Sequence, residues 1–360
     1  MKKNDRIEHP APGDYKEILS FLSNSYNHSY HFFPLRYPAL SAPDTFDYDN
    51  TFIIRKEKKI VSLVRIFPQT AVLSGRTVEI GGIGSVATHP DFRKKGYMQQ
   101  LMTHCVQEMQ KRNYAFSILA GDRQRYNFWD FETCGNDIRI AITNRSIAKG
   151  AMPAPLSLQQ YHGNRTILQK IARCHASQPL FIKRNARTFR AHFEETIHTN
   201  LWYAEEKKEF AYMAGIGERR DITIVEFGGS PSLWPRMLST LISRYSLTLL
   251  ALVIPPIHLF INAFLPFASS YSITTTGMIR ILSLEATMNF LLGDTRPKEW
   301  KFSMYTGSTC KKISSDDKTL HCSAREWAQI LFGPVSPIEL PAPLKGLFPS
   351  VFSWPLIDHI

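Results

Sequence analysis

The 360-residue sequence contains no CxxC pair, no GxxxxGK[ST] phosphate loop and no GxGxxG fingerprint. Its five cysteines, Cys105, Cys134, Cys174, Cys310 and Cys322, form no even framework, and Cys174-His175 and His321-Cys322 have the wrong spacing for zinc. A disulfide scaffold and a metal site are therefore set aside, and reduced thiols in a cytoplasmic protein are expected. The first residues, MKKNDRIEHPAPGD, hold two lysines but no apolar stretch, so no secretory signal is expected. Formal charge is also missing from Tyr245 to Ile279. That run looks membrane-like, yet Pro255-Pro256 would break a spanning helix, which predicts a buried strand at 247–254, a turn and a buried helix instead. No membrane partner is expected.

What is present describes a packed protein with more than one core. Hydrophobic residues make up 44% and charged residues 21%, with no low-complexity tract, and the length suits two or three domains. The net charge of +12 comes from cations that are scattered, apart from Arg93-Lys94-Lys95 and the neighbourhood of Arg184, Arg187 and Arg190. Without a basic stripe on a recognisable module, nucleic acid is not an expected partner.

The first third reads as a mixed α/β unit. A helix is predicted over 14–27, strands over 51–56 and 60–68 about the charged turn KEKK, a third strand near 71–73, and a long β segment over 78–88. An amphipathic helix follows at 95–112, then a strand at 114–121, a short helix at 122–131 and a closing strand at 137–143. AKGAMPAPL (148–156) reads as a linker. Beyond it, strands at 201–205, 209–217 and 221–229, a helix at 231–245 and the apolar strand repeat the order of the first unit. Residues 270–360 read as a small α+β domain. The expected organisation is 1–147, 150–268 as a degenerate second copy, and 270–360.

The chemistry gathers in GSVATHPDFRKKGYMQQLM (84–102). A strand there runs into three cations and Gly96, and then directly into a helix. Unpaired N–H groups at a helix start, the dipole and the cations together favour an anion. With the mononucleotide and dinucleotide loops excluded, the pyrophosphate of coenzyme A is the remaining common choice.

Arg93 and Gly96 fit the [QR]-x-x-G-x-[GA] motif of the GNAT acetyltransferase superfamily, with Met98 at the position of the last small residue. Tyr126-Asn127-Phe128-Trp129-Asp130-Phe131-Glu132 stands where that superfamily has Tyr-x-x-x-Gly-Phe-Glu, with Asp130 in place of glycine. The longer string GGIGSVATHPDFRKKGYMQQLM…GDRQRYNFW resembles the acetyltransferases of the enhanced-intracellular-survival type. The resemblance implies a fold of two GNAT-like domains followed by a small sterol-carrier-protein-like domain. It implies acetyl-CoA as cosubstrate and an amine acceptor, either a small molecule such as an aminoglycoside or polyamine, or a peptide lysine. It makes a homo-oligomer plausible as the working form.

The same resemblance assigns roles. Val86, Ala87 and Thr88 would bind the pantetheine and polarise the thioester carbonyl. Arg93, Lys94, Lys95, Gly96, Tyr97, Met98 and Gln99 would hold the pyrophosphate, and Gly121 and Asp122 would line the far side of the cofactor arm. Tyr126 would be the general acid and the terminal carboxylate of Ile360 the general base, with Asp358 and His359 as further base candidates. Asp44, Asp47, Asp49, Glu79 and Glu132 could supply an acidic acceptor pocket. The substitutions at Met98 and Asp130 motivate an alternative, a non-catalytic acyl-CoA binder, and the apolar run motivates a lipid binder.

Overall fold

Two tight turns start the first sheet. Glu57 and Lys58, at φ of 49° and 65°, and Ser74 and Gly75, at 48° and 83°, each supply two left-handed residues, the backbone that reverses a hairpin without splaying its strands. The structure, a computed structural model, describes residues 5–149, 153–197, 199–217, 221–305, 312–314, 318–348, 352–354 and 358.

Helices α1 (Tyr15–Tyr26), α2 (Phe32–Arg36) and α3 (Pro38–Ser41) lead into strands β1 (Thr51–Lys56), β2 (Lys59–Leu73) and β3 (Arg76–Thr88). Then come α4 (Tyr97–Lys111), β4 (Phe116–Leu119), α5 (Arg123–Tyr126), β5 (Glu132–Cys134), β6 (Asp137–Thr143) and α6 (Asn144–Lys149). The next stretch holds β7 (Gln159–Gln160), α7 (Arg165–Ala176), β8 (Leu180–Ile182), α8 (Ala186–Arg190) and β9 (Thr199–Glu206). It continues with β10 (Glu209–Ile216), β11 (Asp221–Gly229), α9 (Trp234–Tyr245), β12 (Leu249–Ile254) and α10 (His258–Phe264). After β13 (Ser270–Thr274) and β14 (Gly277–Ile281) follow α11 (Leu284–Leu292), β15 (Lys301–Tyr305), β16 (Lys312–Ser314), β17 (Thr319–Ser323), α12 (Ala324–Phe332) and α13 (Ala342–Lys345).

The strands build two sheets of the same design. The first has the order β1-β2-β3-β4-β14-β5, with β8 added along the end of β2. The second has the order β9-β10-β11-β12-β6-β13, with β7 beside β9. In each, one parallel step joins otherwise antiparallel strands: β3 with β4, and β11 with β12. A third sheet, β15-β17-β16, is small.

The sheet memberships correct the sequence-based boundaries. Strand β6, expected to close the first unit, pairs with β12 and β13 in the second sheet. Strand β14, expected in the last unit, fills the gap between β4 and β5 in the first. The segments predicted as strands at 60–68 and 71–73 are one strand, β2, which runs through Pro68 opposite Gly81. The buried strand expected in the apolar run is β12, while the helix after it, α10, is only partly buried, with Phe260 and Phe264 inside and Leu259 exposed, and no described helix is long and apolar enough to cross a membrane.

The chain changes sheets at two adjacent places. Thr276 N donates to Cys134 O at 3.1 Å, and Gly135 N donates to Phe332 O at 2.9 Å. Gly135 has φ of 105°, and a Cβ there would stand 2.7 Å from Thr276 N, so both its backbone angle and its neighbour require glycine. Helix α4 covers one face of the first sheet, with Leu101, Met102 and Cys105 against Val64 and Ile66. The other face meets α11, α12 and the tail, with Trp327, Phe332 and Phe352 against Phe116 and Ile281.

A chain cut after Lys149 would keep β1 to β5 but lose β14, leaving β4 and β5 without their shared partner. Such a fragment is expected to show no cooperative thermal transition by circular dichroism, whereas the full chain shows one.

Candidate active site

The parallel pairing of β3 with β4 stops after Gly82 and Ile118, and from there the two strands diverge. Just beyond, the register against β2 slips, from Arg65 opposite Gly84 to Leu63 opposite Ala87. The extra residue bulges Ser85 and Val86 out of the ladder, with Ser85 at φ of 53°. Tyr26 Oη donates to Val86 O at 3.0 Å and pins the bulge from α1.

Above this split, the turn before α4 has two left-handed residues, Lys94 at φ of 63° and Gly96 at 89°. A Cβ on Gly96 would meet no atom within 4 Å, so its glycine answers to backbone angle rather than to space. The first helical bond runs from Gln100 N to Gly96 O, which leaves the N–H groups of Tyr97, Met98 and Gln99 without an acceptor inside the helix.

Between split and turn lies a crevice of about 650 Å³. Val86, Ala87 and Thr88 form one wall, and Arg93, Lys94 and Gly96 to Gln99 form its upper end. Sequence reasoning missed three further lining residues, Tyr26, Arg125 and Trp129. Trp129 is held to α4 by its indole N–H on Thr103 Oγ1 at 3.1 Å. Three cations and no carboxylate line the crevice among the described residues. Its chemistry suits a polyanion.

Not every candidate lines it. Lys95 lies over the Phe92 ring at 4.3 Å and faces an outer groove beside Lys56. Asp122 caps α5, accepting from Gln124 N at 2.9 Å, and Gly121 lies against the Tyr126 ring, where a Cβ would sit 2.4 Å from Cε2. Tyr126 is buried and does not itself line the crevice, although its neighbours Arg125 and Trp129 do. Burial raises its pKa against the pull of Arg125, so the phenol keeps its proton at neutral pH. Tyr26 is raised likewise, by burial and by the neighbouring Tyr126. Asp130 adopts φ of 56° at the position where glycine was expected, and its carboxylate pairs with Arg280 of β14 at 3.3 Å. Aspartate tolerates that left-handed angle, so the turn keeps its shape.

A second cavity, about 510 Å³, lies on the other face of β2 between the loops of α2 and α3 and the β8–α8 connection. Of the five carboxylates expected to make an acidic pocket, only Asp47 borders it. Asp44 pairs with Arg187 at 2.9 Å, Glu79 accepts from Thr70 Oγ1 at 2.7 Å, and Asp49 is exposed. Glu132 is buried between Arg123 and Arg325. Burial works to raise its pKa, but the Arg123 guanidinium and the Thr133 N–H hold it below the usual range.

The tail enters this second cavity. Asp358 is buried and receives both Nε and Nη2 of Arg184, at 2.8 and 2.6 Å, while Arg184 also donates to Glu226 at 2.6 and 3.1 Å. Gln69 of β2 donates to Asp358 O at 3.0 Å, and Trp354 donates to Gln69 Oε1 at 3.2 Å. Burial would raise the Asp358 carboxyl, but Arg184 and His192 bring it down to about 2. The remaining base candidates, His359 and Ile360, lie outside the described residues. No group of three or more candidate metal ligands occurs among the described residues.

Residues 6–129 match the family model of an acetyltransferase (GNAT) domain, which brings acyl transfer from acetyl-CoA with it. No curated protein matches the sequence significantly. Among solved structures, a conserved protein of unknown function from Enterococcus faecalis V583 aligns with TM-score 0.63 and 16% identity, over 84% of this chain and 79% of that one. A GCN5-related N-acetyltransferase from Kribbella flavida aligns with TM-score 0.57 and 14% identity, over 79% and 72%. Eis1 from Mycobacterium abscessus aligns with TM-score 0.57 and 11% identity, over 79% and 75%. At such identities these likenesses speak for the fold alone.

Replacing Arg184 by methionine would leave Glu226 and Asp358 buried without their shared cation. The expected loss is about 3–5 kcal/mol of stability at neutral pH, read as a lower denaturant midpoint. The Asp358 part of this stability is present above the unfolded carboxyl pKa near 4 and fades as pH falls toward about 2. The gap between variant and parent should therefore narrow in acid.

Proposed function

We propose that this acyltransferase of the GNAT type is an N-acetyltransferase, passing an acetyl group from acetyl-CoA to a primary amine by direct attack on the thioester. The observation that carries the reading is the crevice beneath Gly96, with three cations, no carboxylate and unbonded helix-start N–H groups at one end, and a bulged strand along its wall.

In this reading the pyrophosphate lies on the N–H groups of Tyr97 to Gln99, with Arg93 and Lys94 adding charge and Lys95 acting from the rim. The pantetheine runs along Val86 to Thr88, whose N–H groups at the bulge polarise the acetyl carbonyl. The amine nitrogen attacks the carbonyl carbon and the C–S bond breaks. The amine proton passes to the base, and Tyr126 supplies a proton to the departing sulfur. The base is the terminal carboxylate of Ile360, brought to the reaction by the anchoring of Asp358 two residues earlier. The buried Asp358 carboxylate, already committed to Arg184, is the poorer base.

The second sheet is a structural copy in this reading, and the last unit a sterol-carrier-like domain that closes the first sheet and carries the tail. The protein works in the cytoplasm as a homo-oligomer. The non-catalytic alternative loses one of its two motives, since Asp130 is fitted to its turn by Arg280.

Tyr126→Phe is expected to lower turnover about a hundredfold while leaving acetyl-CoA affinity unchanged, measured by thiol release across a panel of amines. The phenol of Tyr26, which borders the crevice, is the control. Loss in Tyr26→Phe alone would transfer the acid role to it. Adding residues after Ile360 is expected to abolish thiol release without lowering acetyl-CoA binding, and a fully active extended chain would remove the terminal carboxylate from the mechanism.

A further inference from the structure

We infer that the second cavity receives an acceptor carrying a carboxylate as well as its amine, and that Arg65 binds the acid end. This rests on the acetyltransferase reading for the amine end only. Arg65 is 1% exposed, yet it borders the cavity. Its guanidinium lies between the rings of Phe46 and Phe67, at 3.9 and 4.5 Å. Nη2 donates to Leu40 O at 2.8 Å and Nη1 has only a 3.5 Å contact with Ser41 Oγ, while Nε finds no acceptor. No carboxylate stands within ion-pair distance among the described residues. Burial pulls its pKa down to about 9, with Asp47 the main opposing charge.

The rest of the cavity does not relieve it. Asp47 accepts from Asn50 N at 3.1 Å and Asn50 Nδ2 at 2.7 Å. Asp358 is taken by Arg184 and His192. Arg36 and Lys183 add two more cations at the wall. A buried cation with an open donor is costly until an anion meets it. The Phe46 and Phe67 rings pack on this guanidinium, and the donor left open, Nε, lies in its plane, where a flat carboxylate bonds.

Register places the amine end. Arg65 is opposite Gly84 and Phe67 opposite Gly82, so this face of β3 carries no side chain on the approach to the bulge at Ser85 and Val86, and only the small Ala87 directly after it. The Arg65 backbone is one strand spacing, about 4.8 Å, from the strand that bears the thioester, and its guanidinium stands off that face by the length of the side chain. The acceptor class is therefore a compact amino acid or a molecule built like one, not a polyamine.

The test compares matched acceptors with the full chain in the presence of coenzyme A or acetyl-CoA: lysine with cadaverine, phenylalanine with phenethylamine, serine with ethanolamine. Binding is read by calorimetry and turnover by thiol release. The acids are expected to exceed their decarboxylated partners by about ten- to a hundredfold, a preference lost in Arg65→Gln and partly kept in Arg65→Lys. Acetyl-CoA binding by each variant reports that it is folded, and the lysine variant keeps the buried charge should the glutamine variant not fold. Equal binding within pairs, no binding of any acid at millimolar concentration, or an undiminished preference in folded Arg65→Gln would overturn the assignment. Thiol release without acid preference would sink this inference and leave acetyl transfer standing. Acid preference in binding without thiol release would do the reverse.

Discussion

Everything in this molecule depends on the crossing where the chain trades strands between its two large sheets. Residues 135–136 carry it from the first sheet into the second, and residues 275–276 carry it back, touching as they pass. Neither sheet is complete without chain from the other side of the crossing. The first sheet owes β14 to the last part of the sequence, and Arg280 on that strand sets the turn at Asp130, directly after the buried Trp129 of the crevice. The tail is laid over the same place, with Phe352 and Trp354 beside Gly135 and Thr276. Asp137, at the start of β6, is buried there, and burial lifts its carboxyl to about 7 against the hydroxyls of Ser353 and Thr276. The units are thus parts of one folded body rather than beads on a linker.

Two buried arginines show how charge is used on either side of the second cavity. Arg184 has its side chain fully buried but lies between two carboxylates, so attraction outweighs burial and its pKa rises well above the usual value. It acts as a fastener, tying β11 of the second sheet to the tail. Arg65 is buried to nearly the same degree, receives no carboxylate, and its pKa falls. The same side chain in the same degree of burial serves structure in one case and leaves an open demand in the other. The difference lies in partners, not depth.

Much of the crevice was legible in the sequence because its signals are local. A basic glycine turn between strand and helix, the apolar spacing of α4 and the tyrosine after β4 all lie within about fifty residues of one another. The strand exchange was not legible, because an alternating pattern states which face of a strand is buried but not which strand it pairs with. DIRIAIT at 137–143 would serve equally well as a closing strand of the first sheet or in the place it takes between β12 and β13 of the second. Strand β5, three residues long, carries too little pattern to be seen. Arg65 was hidden for a related reason: in KIVSLVRIFP it reads, like Ser62, as a polar residue in an apolar strand, and only the fold shows that it is buried against two rings. The expected acidic pocket failed because carboxylate identity says nothing of pairing, and Asp44 and Glu132 were already committed to arginines.

The two large sheets also show how one design was divided between two tasks. Each has a parallel step, a divergence beyond it, and a bulge on the third strand where divergence begins, at Ser85 and Val86 in β3 and at Val225 in β11. In the first sheet the split stays open at about 650 Å³, whereas in the second only about 70 Å³ remains. Side chains account for the difference. After β11 the chain has no cations at its turn but Trp234, whose indole packs on Phe227 at 5.0 Å and donates to Gly228 O at 3.2 Å. Glu226, on the strand itself, is spent on Arg184 and on the Tyr212 hydroxyl at 2.8 Å, and Ser353 and Trp354 of the tail line what is left. A split filled in this way has no room for a cofactor arm. What it gains is a charged socket that holds Asp358 against β2, on the face of the first sheet that the crevice leaves free.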